Sequence, residues 1–147
     1  MDPRFVIGGA TVVIVAEYKT PRPESKARGL ALFTSTFRTS GPDVFDLHPN
    51  SHSRLNLIRA LIQALHAGAD EALMLDQRGF VASRNSTNFI VRGDELWTST
   101  GAYSFRGITQ ATVLRAWRAA GGVARARDFT WRSTPPTRPS PPASPAA

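Results

Sequence analysis

Chemistry in this chain rests on a short inventory. Among its 147 residues there are 16 Arg, two Lys (Lys19 and Lys26), three His and 11 acids, with no Cys. Thiolate catalysis and disulfides are therefore out, and no metal site is expected. Two spots combine polar groups with a local backbone that could use them. Gly107-Ile108-Thr109 stands where a helix begins. Free backbone N–H groups and the helix dipole at such a point favour an anion, and the Thr109 hydroxyl adds a donor. An equally simple reading makes Thr109 only the helix cap. The second spot is the polar run Ser83, Asn85, Ser86 and Thr87, which could present hydroxyls and amides to a ligand or be a solvated turn. His48 and His52 flank Asn50 in a Pro-bounded loop, where ligand contact and plain solvation are both open readings. Arg54 is too basic to act as a nucleophile at neutral pH.

The elements that must position these groups follow from periodicity. Thr11–Val15 (Thr-Val-Val-Ile-Val) is β-branched and apolar and predicts a buried strand; Leu30–Arg38 predicts a second. Pro42 and Pro49 make residues 41–50 a loop. From about Ser53 a helix is expected, with Leu55, Ile58, Leu61, Ile62 and Leu65 as its buried face and Gly68 as its stop. Ala72–Asp76 and Phe80–Ala82 flank the turn Gln77-Arg78-Gly79, which reads as a hairpin. Phe89–Val91 and Leu96–Thr98 flank a second turn. A helix over about 110–120 ends at Gly121-Gly122.

Bulk composition narrows the partners. The net charge is +7, but the Arg residues are scattered, without a basic stripe interleaved with aromatics, so nucleic-acid binding is not expected. The longest apolar run, Ala10–Ala16, falls well short of the roughly 20 residues of a membrane span. The start carries mixed charge and no leader pattern, so a cytoplasmic protein without a membrane partner is the expectation. Six of the eleven prolines lie between Pro135 and Pro145, and residues 131–147 are expected to be a disordered tail lying outside the reading frame of the preceding domain. Residues 1–9 read as a lead-in and 10–130 as the folded part.

The wording of the middle is specific. Ala67-Gly68-Ala69-Asp70-Glu71-Ala72-Leu73-Met74-Leu75-Asp76, then Gly79-Phe80-Val81-Ala82, then Asn88 before an apolar strand, then Gly107-Ile108-Thr109, resembles the central blocks of class IV, pyridoxal-phosphate-dependent aminotransferases in order and spacing. Thr34-Ser35-Thr36 and Leu55-Asn56 agree with that likeness. The resemblance implies an α+β fold, with a mixed or antiparallel sheet and packed helices, corresponding to the first part of the larger domain. It also implies pyridoxal 5'-phosphate as cofactor, an amino acid and a 2-oxo acid as substrates, and a homodimer. The family includes branched-chain and D-amino-acid aminotransferases and aminodeoxychorismate lyase, so an amino lyase stays open as an alternative.

Carried onto this chain, the pattern places Ile108 and Thr109 at the cofactor phosphate. Ser83 falls where a glutamate normally faces the pyridine nitrogen, and Gln110 replaces a usual Arg. Asn50 falls at the position of the Schiff-base lysine. An amide cannot form that bond, so covalent attachment of the cofactor is not expected. The chain then reads either as a truncated, impaired aminotransferase-like protein or as a catalytically silent remnant or ligand-binding module.

Overall fold

A computed structural model describes residues 8, 12–18, 20, 27–48, 53–88, 90–92 and 95–133, with residues 90–92 described by their backbone. Among the described residues, two three-stranded sheets carry two long helices. In the first, β1 (Leu32–Thr34) runs parallel to β2 (Glu71–Leu75), which pairs antiparallel with β3 (Val81–Arg84). In the second, β4 (Ile90–Arg92) is antiparallel to β5 (Leu96–Thr98), which is parallel to β6 (Ala124–Ala126). Parallel neighbours need a crossover. Helix α1 (Leu55–His66) supplies it between β1 and β2, and α2 (Ile108–Ala119) between β5 and β6. The α+β class with mixed sheets is as expected, and both expected hairpins form.

The β2–β3 turn is built by Asp76, which is 2% exposed. Its Oδ1 accepts the backbone N–H groups of Arg78 and Phe80, both at 2.9 Å, and its Oδ2 accepts two N–H groups from the Arg78 guanidinium. Gly79 sits at φ +90, which glycine reaches without steric cost. The two sheets are stitched by residues 127–130. Arg127 donates its backbone N–H to the Thr98 carbonyl, and the Phe129 carbonyl accepts from Val81. The Phe129 ring is 2% exposed, packs with Leu73 and Val81, and meets Trp97 with centroids 6.3 Å apart.

Three sequence expectations change. Residues 12–18 lie in no strand, and Val12, Val13, Ile14 and Val15 are all at least three-quarters exposed. β-branched residues favour extended backbone, but a strand exists only where an edge accepts its hydrogen bonds. The second expected strand shrinks to Leu32–Thr34. The Ser35 hydroxyl turns to Gln63 Oε1 (2.8 Å) and accepts the Phe37 N–H (3.0 Å), which bends the chain. The backbone still follows β2 through Ser35 N–H to Leu73 O and Thr39 N–H to Leu75 O.

The third change concerns α1. Leu55, Ile58, Ile62 and Leu65 are 47–70% exposed, whereas Ala60 and Ala64 are fully buried against Ala72 and Met74. Two stripes of this helix are apolar, and periodicity favours the bulkier one. The sheet takes the small one because Ala lets the helix approach β2 closely, with Leu57 and Phe37 filling the flanks. Trp131–Ser133 form a 3-10 turn, and residues 134–147 lie outside the described residues.

Candidate functional site

A cleft of about 570 Å³ opens between the start of α1, the polar turn after β3 and the start of α2. Ser83, Ile108 and Thr109 all line it, although 26 positions separate the first from the last (109 − 83). Asn50 lies outside the described residues. The chain on either side of it, at Leu47 and at Ser53, borders the cleft. His52 also lies outside the described residues, and the His48 ring turns to the Asp46 carboxylate instead of the cleft. The backbone N–H and ring of His48 together hold the Asp46 carboxyl below its ordinary value.

The floor of the cleft is the start of α2. Gly107 occupies the cap position with extended backbone (φ −74, ψ 139), and among the described residues no side chain caps the helix. Thr109 therefore lies inside the first turn and is not the cap that its sequence also allowed. The first intrahelical bond runs from Ala111 N–H to Gly107 O (3.1 Å). The N–H groups of Ile108, Thr109 and Gln110 thus have no partner within the helix. The first turn holds no acidic residue, so the positive end of the dipole is not offset. Gln110 is used differently: its Nε2 donates to Thr98 Oγ1, tying α2 to the end of β5.

The wall opposite is polar and internally bonded. Asn85 Oδ1 accepts the Ala72 N–H at 2.8 Å, extending the β2–β3 ladder through a side chain. The Arg84 N–H bonds to Thr87 O, which closes the turn. Asn85 therefore has a structural task, as the turn reading of this run anticipated. Ser83 donates its hydroxyl to the Arg84 carbonyl at 3.0 Å, which leaves its oxygen lone pairs as acceptors. Phe45, Leu47, Leu57, Phe105 and Val113 make the rest apolar.

Among the described residues no carboxylate lines this cleft, whereas Arg54 and Arg84 do. Arg84 is paired with Glu71 at 3.1 Å, and Arg54 stands at the cap position of α1. The field in the cleft therefore favours anions, with uncapped N–H groups at one end and a guanidinium at the other. Chemically, such a place can hold a phosphate monoester beside a flat apolar group. Sequence reasoning passed over Arg54 except to reject it as a nucleophile. Its place in the first turn of the expected helix was the available signal. Asn88 was seen only as one letter of a block, and nothing in the sequence says which way its amide faces.

The family model of amino-transferase class IV matches residues 7–133. The chain belongs to that family. It is 38% identical over 115 residues to branched-chain-amino-acid aminotransferase-like protein 2 of Arabidopsis thaliana, covering 78% of this chain and 20% of that protein. The branched-chain-amino-acid aminotransferase of Pseudomonas aeruginosa is 32% identical over 62% of this chain and 30% of its own length. Among solved structures, the branched-chain aminotransferase of Thermoproteus uzoniensis with norvaline superposes with a TM-score of 0.67 at 27% identity, over 71% of this chain and 36% of that one. An aminotransferase from Brucella abortus bound to the cofactor PLP gives 0.66 at 28% identity, over 71% and 39%. The chain thus spans between a fifth and two-fifths of these relatives. Among the described residues no helix is long and apolar enough to cross a membrane, and no His, Cys, Asp and Glu cluster could hold a metal ion.

Proposed function

We propose that this chain is the cofactor-phosphate part of a branched-chain-aminotransferase-like site that binds pyridoxal 5'-phosphate reversibly and transfers no amino group on its own. The observation that carries this reading is the meeting of Ser83, Ile108 and Thr109 in one anion-favouring cleft whose helix end is uncapped. The donor set fits a phosphate monoester: N–H groups of the first α2 turn, the Thr109 hydroxyl, and Arg54 across the cleft. It does not fit covalent attachment. The sequence has only Lys19 and Lys26, and Asn50 stands where the family pattern asks for lysine.

When bound, the cofactor supplies an electron sink for bond breaking beside an amino group. Ser83 would meet the ring-nitrogen edge with a neutral hydroxyl, orienting the ring without a charge to hold its proton. Phe45, Leu47 and Phe105 would exclude water from the ring faces. The complete site of which this would be a part takes an amino acid and its 2-oxo acid; the branched-chain naming of the relatives favours this over an amino lyase. A homodimer in the cytoplasm belongs to the same reading.

Titration with pyridoxal 5'-phosphate and with pyridoxal, which lacks the phosphate, tests it. The phosphate form should bind, and Thr109→Ala should weaken it about tenfold or more, the worth of a hydrogen bond to a charged group. Equal binding of both forms, or no effect of Thr109→Ala, would contradict the reading.

A further inference from the structure

Gly107 precedes α2 at φ −74, a value open to every L-residue. Its glycine identity is set by space instead. A Cβ at this position would overlap Asn88 Oδ1, closer than real Cβ atoms come, with Asn88 Cγ at 3.5 Å. Asn88 is itself fixed, since its Nδ2 donates to the Phe105 carbonyl at 2.7 Å. Its amide therefore spans from the Phe105 carbonyl to Gly107, along the segment that leads into the helix. On the other side of the first turn, Gln110 is tied to Thr98. All of Asn88, Phe105, Gly107 and Gln110 border the cleft.

We infer that Asn88 is a positioning residue for anion binding, clamped over Gly107 so that the first N–H groups of α2 are aimed into the cleft. This rests on the phosphate reading above and adds to it a residue that acts through the backbone leading into the helix. The physical argument is geometric. An anion held by several N–H groups of one turn demands their convergence, and the helix start has no side-chain cap to fix it. Asn88 performs that fixing from outside the helix, through the carbonyl two residues before the cap. Glycine at 107 is the condition for its approach.

The test uses the whole chain with four ligands: pyridoxal 5'-phosphate, pyridoxamine 5'-phosphate, inorganic phosphate, and pyridoxal as the phosphate-free control. Gly107→Ala should weaken the three phosphate-bearing ligands about tenfold or more, since one charge-assisted N–H bond is misaligned, and leave pyridoxal unchanged. Adding Asn88→Ala to Gly107→Ala should recover part of that loss, because the overlap disappears; such non-additivity marks direct coupling. Asn88→Asp keeps the shape while losing the donor to Phe105 O and bringing a negative charge to the cup, and should weaken the same three ligands alone. It also serves if Gly107→Ala fails to fold. Additive effects in the double variant, or losses that fall equally on pyridoxal, overturn the clamp. Unchanged phosphate binding in Asn88→Asp overturns it too. If the unaltered chain binds no phosphate-bearing ligand, the underlying phosphate reading fails, a result distinct from these.

Discussion

Replacing Ile108 by Asp pits two consequences of the same electric field against each other. Ile108 is the first residue of α2 and is 84% exposed, so the change removes little packing. A carboxylate at a helix N-terminus is worth about 0.3–1 kcal/mol to stability. For a domain of this size that raises the melting temperature by a few degrees, on the order of 4 °C per kcal/mol. At an assumed separation of about 5 Å, the same carboxylate and a phosphate bearing roughly −1.5 to −2 charges would repel by about 1.4 kcal/mol in a water-like dielectric, and by more where water is excluded. Binding of pyridoxal 5'-phosphate should therefore fall at least about tenfold, and less in high salt, which screens exposed charges. Calorimetric titration gives affinity and scanning calorimetry gives stability on one preparation. Ile108→Asn keeps the size and drops the charge, so it should leave phosphate binding within about twofold. Equal weakening by Asp and Asn, or a melting gain with phosphate affinity untouched, would refute the placement of the anion at this helix end.

Other outcomes follow from the packing and the ion pairs. Phe129→Ala should cost about 3–5 kcal/mol in denaturant unfolding, because the ring joins the two sheets and is fully buried. On α1, Ala64→Leu should destabilise by about 1–3 kcal/mol through overpacking, while Leu65→Lys should leave the unfolding midpoint nearly unchanged and lower binding of a hydrophobic dye. The reverse ranking would restore the bulky stripe as the buried face. Hydrogen bonding from the Arg125 side chain, then from Trp97, holds the Glu95 carboxyl below its ordinary 4.5. A depressed carboxyl stabilises above the unfolded-chain value, and that contribution is lost as pH falls through the folded one. The stability difference between the unaltered chain and Arg125→Gln should thus be constant above about pH 5, shrink below about 4.5, and be small throughout because the pair is exposed.

Much of the frame was legible because short-range chemistry sets it. Asp76 and Gly79 specify the β2–β3 turn within five residues, and Gly107-Ile108-Thr109 announces a helix start on its own. What was missed depends on contacts distant in sequence. Ala60 and Ala64 outcompete the larger Leu55–Leu65 stripe only because β2 accepts a close helix, and periodicity cannot rank two apolar faces. Val12–Val15 has the composition of a strand, yet strand formation depends on an edge that local sequence does not reveal. Ser83, Ile108 and Thr109, which line the cleft, were singled out through the family pattern, whereas the placement of Asn88 needed the fold. Its task is defined by a backbone 17 residues away.

The central claim is that this chain holds the phosphate of the cofactor without bonding to its aldehyde carbon. The direct measurement is to saturate the chain with pyridoxal 5'-phosphate, divide the sample, dialyse one half and reduce the other with borohydride before peptide mass mapping. The account predicts that dialysis restores the free chain and that reduction leaves no stoichiometric adduct, with at most trace labelling of Lys19 or Lys26. A one-to-one adduct that survives dialysis, mapped to any single residue, would contradict it.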